Sequence, residues 1–342
     1  MRVAAGDLDG VAGVEIVVAC EDMVVALDRR GKVVARFAAR GWPQVLAVAD
    51  LDGDKRAEVY AGFGRSRRRG QAKAQLWRLR LRGAAFESNL VLQPETTRAE
   101  LTALVPRPRE RALLLAYYES KYQVRHVRLR AKASGGGFDS ELLGTFRMAT
   151  SVAAFRPRRG AEVLHVVGRI YGDARGTPGD AFVLRGAKRD AIPTVRGVRA
   201  LAVAHLDGPS AEPTLLLADG WARNYGRDAR ALLAAVRVRG PGAHVREPLF
   251  ALSGEFAIFR MRPVDIENDG RDELIVIGSS TVRVLAFSAR DRAGRRQVTA
   301  RVVGQRQDDA TAADLDGDGR AEVIVVGSAP AIVSLPRRQG ER

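Results

Sequence analysis

Cysteine is nearly absent from this chain. Cys20 stands alone among 342 residues, so no intramolecular disulfide forms and the redox compartment is left open. No apolar run approaches the ~18 residues that a membrane-spanning helix needs. Lysine is scarce as well: Lys32, Lys55, Lys73, Lys121, Lys132 and Lys188 are the only ones among 56 basic residues, the rest being Arg. These Arg residues scatter through nearly every predicted strand and loop, whereas a nucleic-acid binder clusters its basic residues with aromatics on one element. The net charge of +16 therefore reads as the Arg-rich composition a GC-rich genome gives, and nucleic acid is set aside as a partner. The densest basic run, Arg65 to Gly70, reads as a solvated loop. Catalytic signatures are missing too. The four histidines (His126, His165, His205, His244) lie far apart and none forms a close-spaced metal pair. No nucleophile elbow or phosphate loop occurs, so no catalytic residue is assigned. The chain enters an acidic loop directly after Met1-Arg2-Val3-Ala4-Ala5, without an apolar segment of signal-peptide length. The expectation is a cytoplasmic protein or a piece of a longer one.

What is present is a recurring nine-residue acidic loop. Asp314-Leu315-Asp316-Gly317-Asp318-Gly319-Arg320-Ala321-Glu322 runs into Val323-Ile324-Val325-Val326. Asp50-Leu51-Asp52-Gly53-Asp54-Lys55-Arg56-Ala57-Glu58 runs into Val59-Tyr60-Ala61, and Asp265-Ile266-Glu267-Asn268-Asp269-Gly270-Arg271-Asp272-Glu273 into Leu274-Ile275-Val276-Ile277. A reduced copy, Asp7-Leu8-Asp9-Gly10-Val11-Ala12-Gly13-Val14-Glu15, opens the chain. Carboxylates at alternate positions of a Gly-containing loop, and again at its end, suit a hard cation with oxygen ligands, above all Ca2+. The competing reading is a metal-free turn whose Asp side chains accept backbone amides. Clustered carboxylates repel one another without a counter-ion, which favours the cation.

Aligning on this loop brings out weaker copies at Leu104, Phe155 and His205, at intervals of roughly 43 to 60 residues. Seven units result, about 1–42, 43–97, 98–149, 150–196, 197–259, 260–308 and 309–342, in one domain spanning 1–342. In each unit one apolar strand enters the loop and a second leaves it. A third alternates, as in Gln75-Leu76-Trp77-Arg78-Leu79-Arg80-Leu81, and a fourth follows, such as Val298 to Val303. Gly-rich turns separate them. Four strands in about 40–50 residues mark a β-propeller blade. The predicted fold is an all-β, seven-bladed propeller of four-stranded antiparallel blades. The continuous apolar runs are assigned to two inner strands covered on both faces. After Ala331 to Leu335 no fourth strand is evident in the last unit, and residues upstream of Met1 in a longer parent are expected to close the ring.

These loops and their spacing resemble the FG-GAP or VCBS repeats, known from the integrin α-subunit propeller and from bacterial surface and secreted proteins. The resemblance covers nearly the whole chain as a repeat and is sharpest at the three intact loops and the first, partial one. It implies a seven-bladed ring, calcium held between strands of a blade, and an extracellular, periplasmic or cell-surface setting. By position it implies Asp50, Asp52, Asp54, the Arg56 carbonyl and Glu58 as ligands in unit two. Unit six would use Asp265, Glu267, Asp269, the Arg271 carbonyl and Glu273. Unit seven would use Asp314, Asp316, Asp318, the Arg320 carbonyl and Glu322. Two departures stand out: Glu replaces the frequent Asp at the ninth position, and Val11 removes one ligand from the first loop, leaving Asp7, Asp9 and Glu15. Asn268 accepts the left-handed backbone that a tight turn requires.

Units three to five lack the acidic loop. With unit two, they are expected to carry long loops between second and third strands. These loops hold Tyr117, Tyr118 and Tyr122, then Tyr171, then Trp221, Asn224 and Tyr225. Aromatics are only 6% of the chain, so their concentration here marks candidate ligand-binding residues. The competing reading is that the rings anchor the loops themselves. The resemblance places these loops on the face opposite the segments entering each blade's first strand. Three functions follow as expectations: a calcium-stabilised extracellular binding or scaffold module for a protein or glycan ligand, a lectin or lyase for acidic polysaccharide, and a metal-free intracellular platform.

Overall fold

The computed structural model describes residues 1–335 apart from 12, 66–72, 97–98, 133–136, 158–160, 173–178, 187, 193, 195–196, 220–230, 239–241, 256, 289–295 and 306. Seven antiparallel sheets follow one another along the chain, six with four strands and the last with three, each ordered as its strands occur in sequence. Among the described residues the only helical element is one 3-10 turn, Pro108–Glu110. The first strands of the blades are Arg2–Gly6, Trp42–Ala49, Leu101–Arg107, Ser151–Phe155, Val198–Ala204, Ile258–Val264 and Gln307–Ala313. From blade one to blade six those of neighbouring blades pack beside one another around a central axis, and blade seven's lies against the second strand of blade six and the first strand of blade one. The chain is a seven-bladed β-propeller.

Burial differs from the expectation for the inner strands. The second strand of each acidic-loop blade is buried almost without break: Glu58–Gly64, Glu273–Gly278 and Glu322–Gly327 are buried at every residue. The first strand is less evenly buried: Ile258–Val264 and Gln307–Ala313 are half-buried or exposed at most positions, Val198–Ala204 alternates, and Ser151–Phe155 is fully buried. It lines the axis with one edge open, whereas the second has a strand on either side and a blade on either face. Fourth strands such as Ala85–Leu92 are largely exposed.

The core lies between the blades. Leu46, Val59, Ala61 and Phe63 of blade two meet Val17, Ala19 and Val24 of blade one, and a comparable cluster joins Ile275, Ile277 and Val284 of blade six to Val323 and Val325 of blade seven. Blades seven and one meet through Leu315, Ile324 and Val326 against Val3 and Ile16. At this seam the Arg262 guanidinium of blade six donates to the Val3 carbonyl at 2.7 Å and to Asp309 Oδ2 of blade seven at 2.7 Å, and the Val3 amide also donates to Asp309 at 3.2 Å. Blade one's four strands all lie within Arg2–Ala38 and blade seven's three within Gln307–Val333, so the contact between them is made by packing and polar links.

Antiparallel order fixes what shares a face. Each acidic loop joins a first strand to a second at one end of the ring. Turns between second and third strands lie at the other end, with the segments entering each first strand: Tyr118 N–H donates to the Glu100 carbonyl at 2.9 Å, and Ile170 N–H to the Met148 carbonyl at 3.0 Å. The expectation that these turns face away from the entry segments is therefore corrected. An even number of strands returns the chain to the end it started from.

Candidate functional site

The four acidic loops fold alike. The first-position Asp accepts amides further round the turn: Gly10 to Asp7 at 2.7 Å, Gly53 and Lys55 to Asp50 at 2.6 and 2.9 Å, Gly317 and Gly319 to Asp314 at 2.7 and 3.0 Å. In blade six Asp265 accepts from Asp269 and Gly270 at 3.0 and 2.8 Å. The ninth-position Glu turns back to accept the second residue's amide, from Leu8, Leu51, Ile266 and Leu315 at 2.7, 3.2, 2.9 and 3.0 Å. Glu15, Glu58, Glu273 and Glu322 are all buried. Burial pushes the Glu15 and Glu58 carboxyls above their ordinary range, opposed by those same amides. Asn268 takes φ 56°, the left-handed turn conformation expected of it.

Carboxylates converge to metal-binding separation in three of the four loops. One oxygen each from Asp7, Asp9 and Glu15, from Asp50, Asp52 and Glu58, and from Asp314, Asp316 and Glu322 lie within 4.8 Å of one another. Oxygens at this separation have the spacing of metal ligands, and hard oxygen donors suit calcium. The fifth-position Asp54 and Asp318 stay outside the clusters, each accepting the amide two residues on, Arg56 and Arg320, at 2.9 and 2.8 Å. In blade six, Asp265, Glu267, Asp269 and Glu273 form no such cluster. Glu267 points to the next blade, where Arg320 grips it with Nε at 3.2 Å and Nη2 at 2.7 Å. Asp269 accepts the Arg271 amide at 2.8 Å.

Successive loops are stitched together. The Ala57 amide donates to the Asp7 carbonyl at 2.7 Å, Asp272 to His205 at 3.0 Å and Ala321 to Ile266 at 3.0 Å. Arginines add to this: Arg111 Nε donates to the Leu51 carbonyl at 2.9 Å, and Arg296 Nη2 to Asp207 in the decayed loop of blade five at 2.6 Å. In blade two Arg80 reaches the carboxylates of its own loop, pairing with Asp52 and with Glu58 Oε1 at 2.9 Å.

The opposite face departs from expectation in blade three. Tyr117 and Tyr118 belong to the second strand, Ala112–Tyr118, and the third begins at Gln123, so only a short turn separates them. Tyr117 is buried and unavailable to a ligand. Tyr122 is exposed, with Arg147 and Lys121 over its ring at 5.0 and 5.1 Å. The connections in blades two, four and five are long, and Trp221, Asn224 and Tyr225 lie outside the described residues. Tyr118 and Tyr171 lie near Glu100 and Arg199, groups that the sequence did not single out. Burial and then the Glu100 charge push the Tyr118 hydroxyl up to about 12, while Arg199 opposes the shift. Arg199 stacks over Phe259 at 4.7 Å. Glu100, Arg199 and Phe259 lie at the first strands of blades three, five and six, and Tyr171 lies just beyond the second strand of blade four. Only the packing of successive blades around the axis brings them together.

Comparisons with known proteins agree with the fold. Residues 265–325 match the model of the FG-GAP-like repeat. Two solved structures of BBS1N in complex with ARL6DN, one soaked with lead and one with mercury, align over 98% of this chain with TM-scores of 0.59 and 0.57. The alignments cover 92% and 91% of those chains at 13% and 14% identity, a likeness of fold. No curated protein sequence matches the chain. The chain is thus a seven-bladed β-propeller that carries an FG-GAP-like repeat across blades six and seven.

Proposed function

We propose that the protein is an interaction scaffold that holds a protein partner on the strand-entry face, while calcium stiffens acidic loops on the other. The observation that carries this reading is the convergence of Glu100, Tyr118, Tyr171 and Phe259 around Arg199 at one end of the ring. Tyrosine and arginine dominate binding hot spots because each offers a large contact area together with a directional polar group. BBS1N, a propeller-length neighbour, is itself seen in complex with ARL6DN. An extracellular, periplasmic or cell-surface setting goes with the calcium reading, because the weakest calcium loops fill only at the 10⁻⁴–10⁻³ M affinities of extracellular modules. Affinity capture followed by cross-linking tests the surface. Tyr122→Ala and Tyr171→Ala are expected to lose a partner that the parent and Lys32→Ala, on the opposite face, retain. Equal capture by all four would sink the assignment.

A second reading draws on charge. Arg2, Arg199 and Arg260 lie on the first strands of blades one, five and six, and burial together with mutual repulsion lowers their proton affinity, Arg2 to about 9. Such a group favours an anionic ligand, in line with a lectin or lyase for acidic polysaccharide. A glycan array and an assay for newly formed unsaturated sugar separate these from a protein-binding scaffold.

A further inference from the structure

The acidic loops are not equivalent, and the difference lies in where each finds its positive charge. Continuing the register of blade two one residue beyond the Val59–Leu79 pair places Arg80 opposite Glu58. From there its guanidinium bonds to Asp52 and to Glu58 Oε1 at 2.9 Å. Asp52 and Glu58 are two of the three carboxylates that would hold a metal ion in that loop. The same register places Asp28 opposite Glu15 in blade one, Ala286 opposite Glu273 in blade six and Ser334 opposite Glu322 in blade seven. None of these can supply a cation.

A second source of charge is the neighbouring blade. The seventh residue of one loop reaches back to the third residue of the loop before it, as Arg320 does to Glu267. Arg56 sits in the equivalent place over Gly10 of the first loop. There the third residue is Asp9, one methylene shorter than Glu267, and no ion pair within 4.0 Å forms. Facing blade seven's loop, the seventh residue of blade one's loop is Gly13, which has no side chain. Among the described residues, no basic group pairs with Asp7, Asp9, Glu15, Asp314, Asp316 or Glu322, whereas blades two, five and six each carry an arginine on a loop carboxylate.

We infer that Arg80 is the resident counter-ion of the blade-two loop and excludes a divalent cation from it, so that metal binding is confined to the loops of blades one and seven. Those two loops adjoin at the ring seam, where Leu315 packs with Val3 and Ile16. Cation occupancy would thus tighten the one blade interface that the chain does not cross. A guanidinium and a hard divalent ion cannot share two carboxylate oxygens: each neutralises the same charge, and their mutual repulsion opposes joint occupancy. The seam assignment rests on the calcium reading above; the exclusion by Arg80 does not.

Calcium titration by calorimetry on the folded chain, after chelator treatment, separates the two parts. The parent is expected to bind two equivalents and Arg80→Met three, with Arg80→Lys, which keeps the charge, remaining at two. Arg80→Met should also melt lower than the parent in chelator and regain stability when calcium is added. A parent that loses one equivalent on Glu58→Gln would overturn the exclusion, since its blade-two loop was loaded despite Arg80. An Arg80→Met protein that is folded by circular dichroism yet gains no equivalent would overturn it as well. A parent that binds nothing would remove the seam assignment and the calcium reading together. In that case, calcium binding gained by Arg80→Met alone still supports Arg80 as the excluded ion's substitute. Should Arg80→Met fail to fold in chelator, Arg80→Gln, which keeps hydrogen-bonding capacity, carries the same titration.

Discussion

Removing the Asp309 carboxylate should open the ring at its seam. Asp309 is fully buried and joins blades one, six and seven: it takes the Val3 amide at 3.2 Å and Arg262 Nη2 at 2.7 Å. Arg262 Nη1 meanwhile holds the Val3 carbonyl at 2.7 Å. In Asp309→Ala the guanidinium keeps one carbonyl and loses its counter-charge, and the Val3 amide loses its acceptor. Breaking a buried pair by removing one partner costs about 3–5 kcal/mol. The Arg262 side chain retains 22% exposure, so water recovers part of the loss and the low end, about 3 kcal/mol, applies. With an unfolding entropy of about 2.1 cal/mol/K per residue, a chain of this length changes by about 0.7 kcal/mol per degree, so Tm should fall by about 4 °C. The double variant Arg262→Met with Asp309→Leu should recover most of this, because an apolar pair in place of a buried ion pair is often neutral. Scanning calorimetry of the parent, Arg262→Met, Asp309→Leu and the double variant reads the coupling directly. A parent-like Tm for Asp309→Ala, or losses that simply add, would refute the claim that this pair latches the seam.

Three further outcomes are expected. His126 is fully buried, its Nε2 within 2.7 Å of the Ala149 carbonyl, and burial pulls its pKa from 6.5 to about 4. A depressed His takes up its proton in the unfolded state first, so stability is fully present above pH 6.5 and declines towards pH 4, by up to about 3 kcal/mol; urea midpoints of parent and His126→Leu across that window should diverge, and parallel curves would contradict this. Buried Glu255 accepts from Ser279 Oγ, the Ser280 amide, the Thr281 amide and Thr281 Oγ1 at 2.7, 2.7, 2.8 and 2.5 Å, so Glu255→Ala should cost about 2–4 kcal/mol in chemical denaturation, and a loss below 1 kcal/mol would show that water replaces the carboxylate. Gly53 and Gly270 share φ values of 82° and 79°, yet a Cβ at Gly53 meets open space and one at Gly270 falls 2.6 Å from Pro209 Cδ; Gly53→Ala should cost about 1 kcal/mol and Gly270→Ala clearly more, in paired thermal melts.

Much of the architecture was legible in the residues because its determinants are local. The acidic loop puts glycine or asparagine where the backbone turns left-handed, at Gly53, Asn268 and Gly317, and Leu51, Ile266 and Leu315 anchor it into the core beneath. The apolar runs after Glu58, Glu273 and Glu322 became the buried second strands. Even the decayed loop at His205 kept its place, with Leu206 buried and Asp207 exposed to Arg296. The reading failed where side chains depend on strand ends and on ring order. Tyr117 looked like a loop residue because a polar stretch follows it, but the second strand runs on through Tyr118 and carries Tyr117 into the core.

Spacing, apolar runs and turn residues were therefore enough to specify seven blades and the loops that begin them, since each acts within a dozen neighbouring residues. Whether a given loop calls for a metal was not decided at that range. Asp50 to Glu58 and Asp314 to Glu322 are almost the same string, yet one meets Arg80 across a strand pairing and the other faces Ser334 and the glycine of the next blade. Charge compensation acts through space over a few ångströms, and only the register of each sheet and the order of blades around the axis bring those ångströms about.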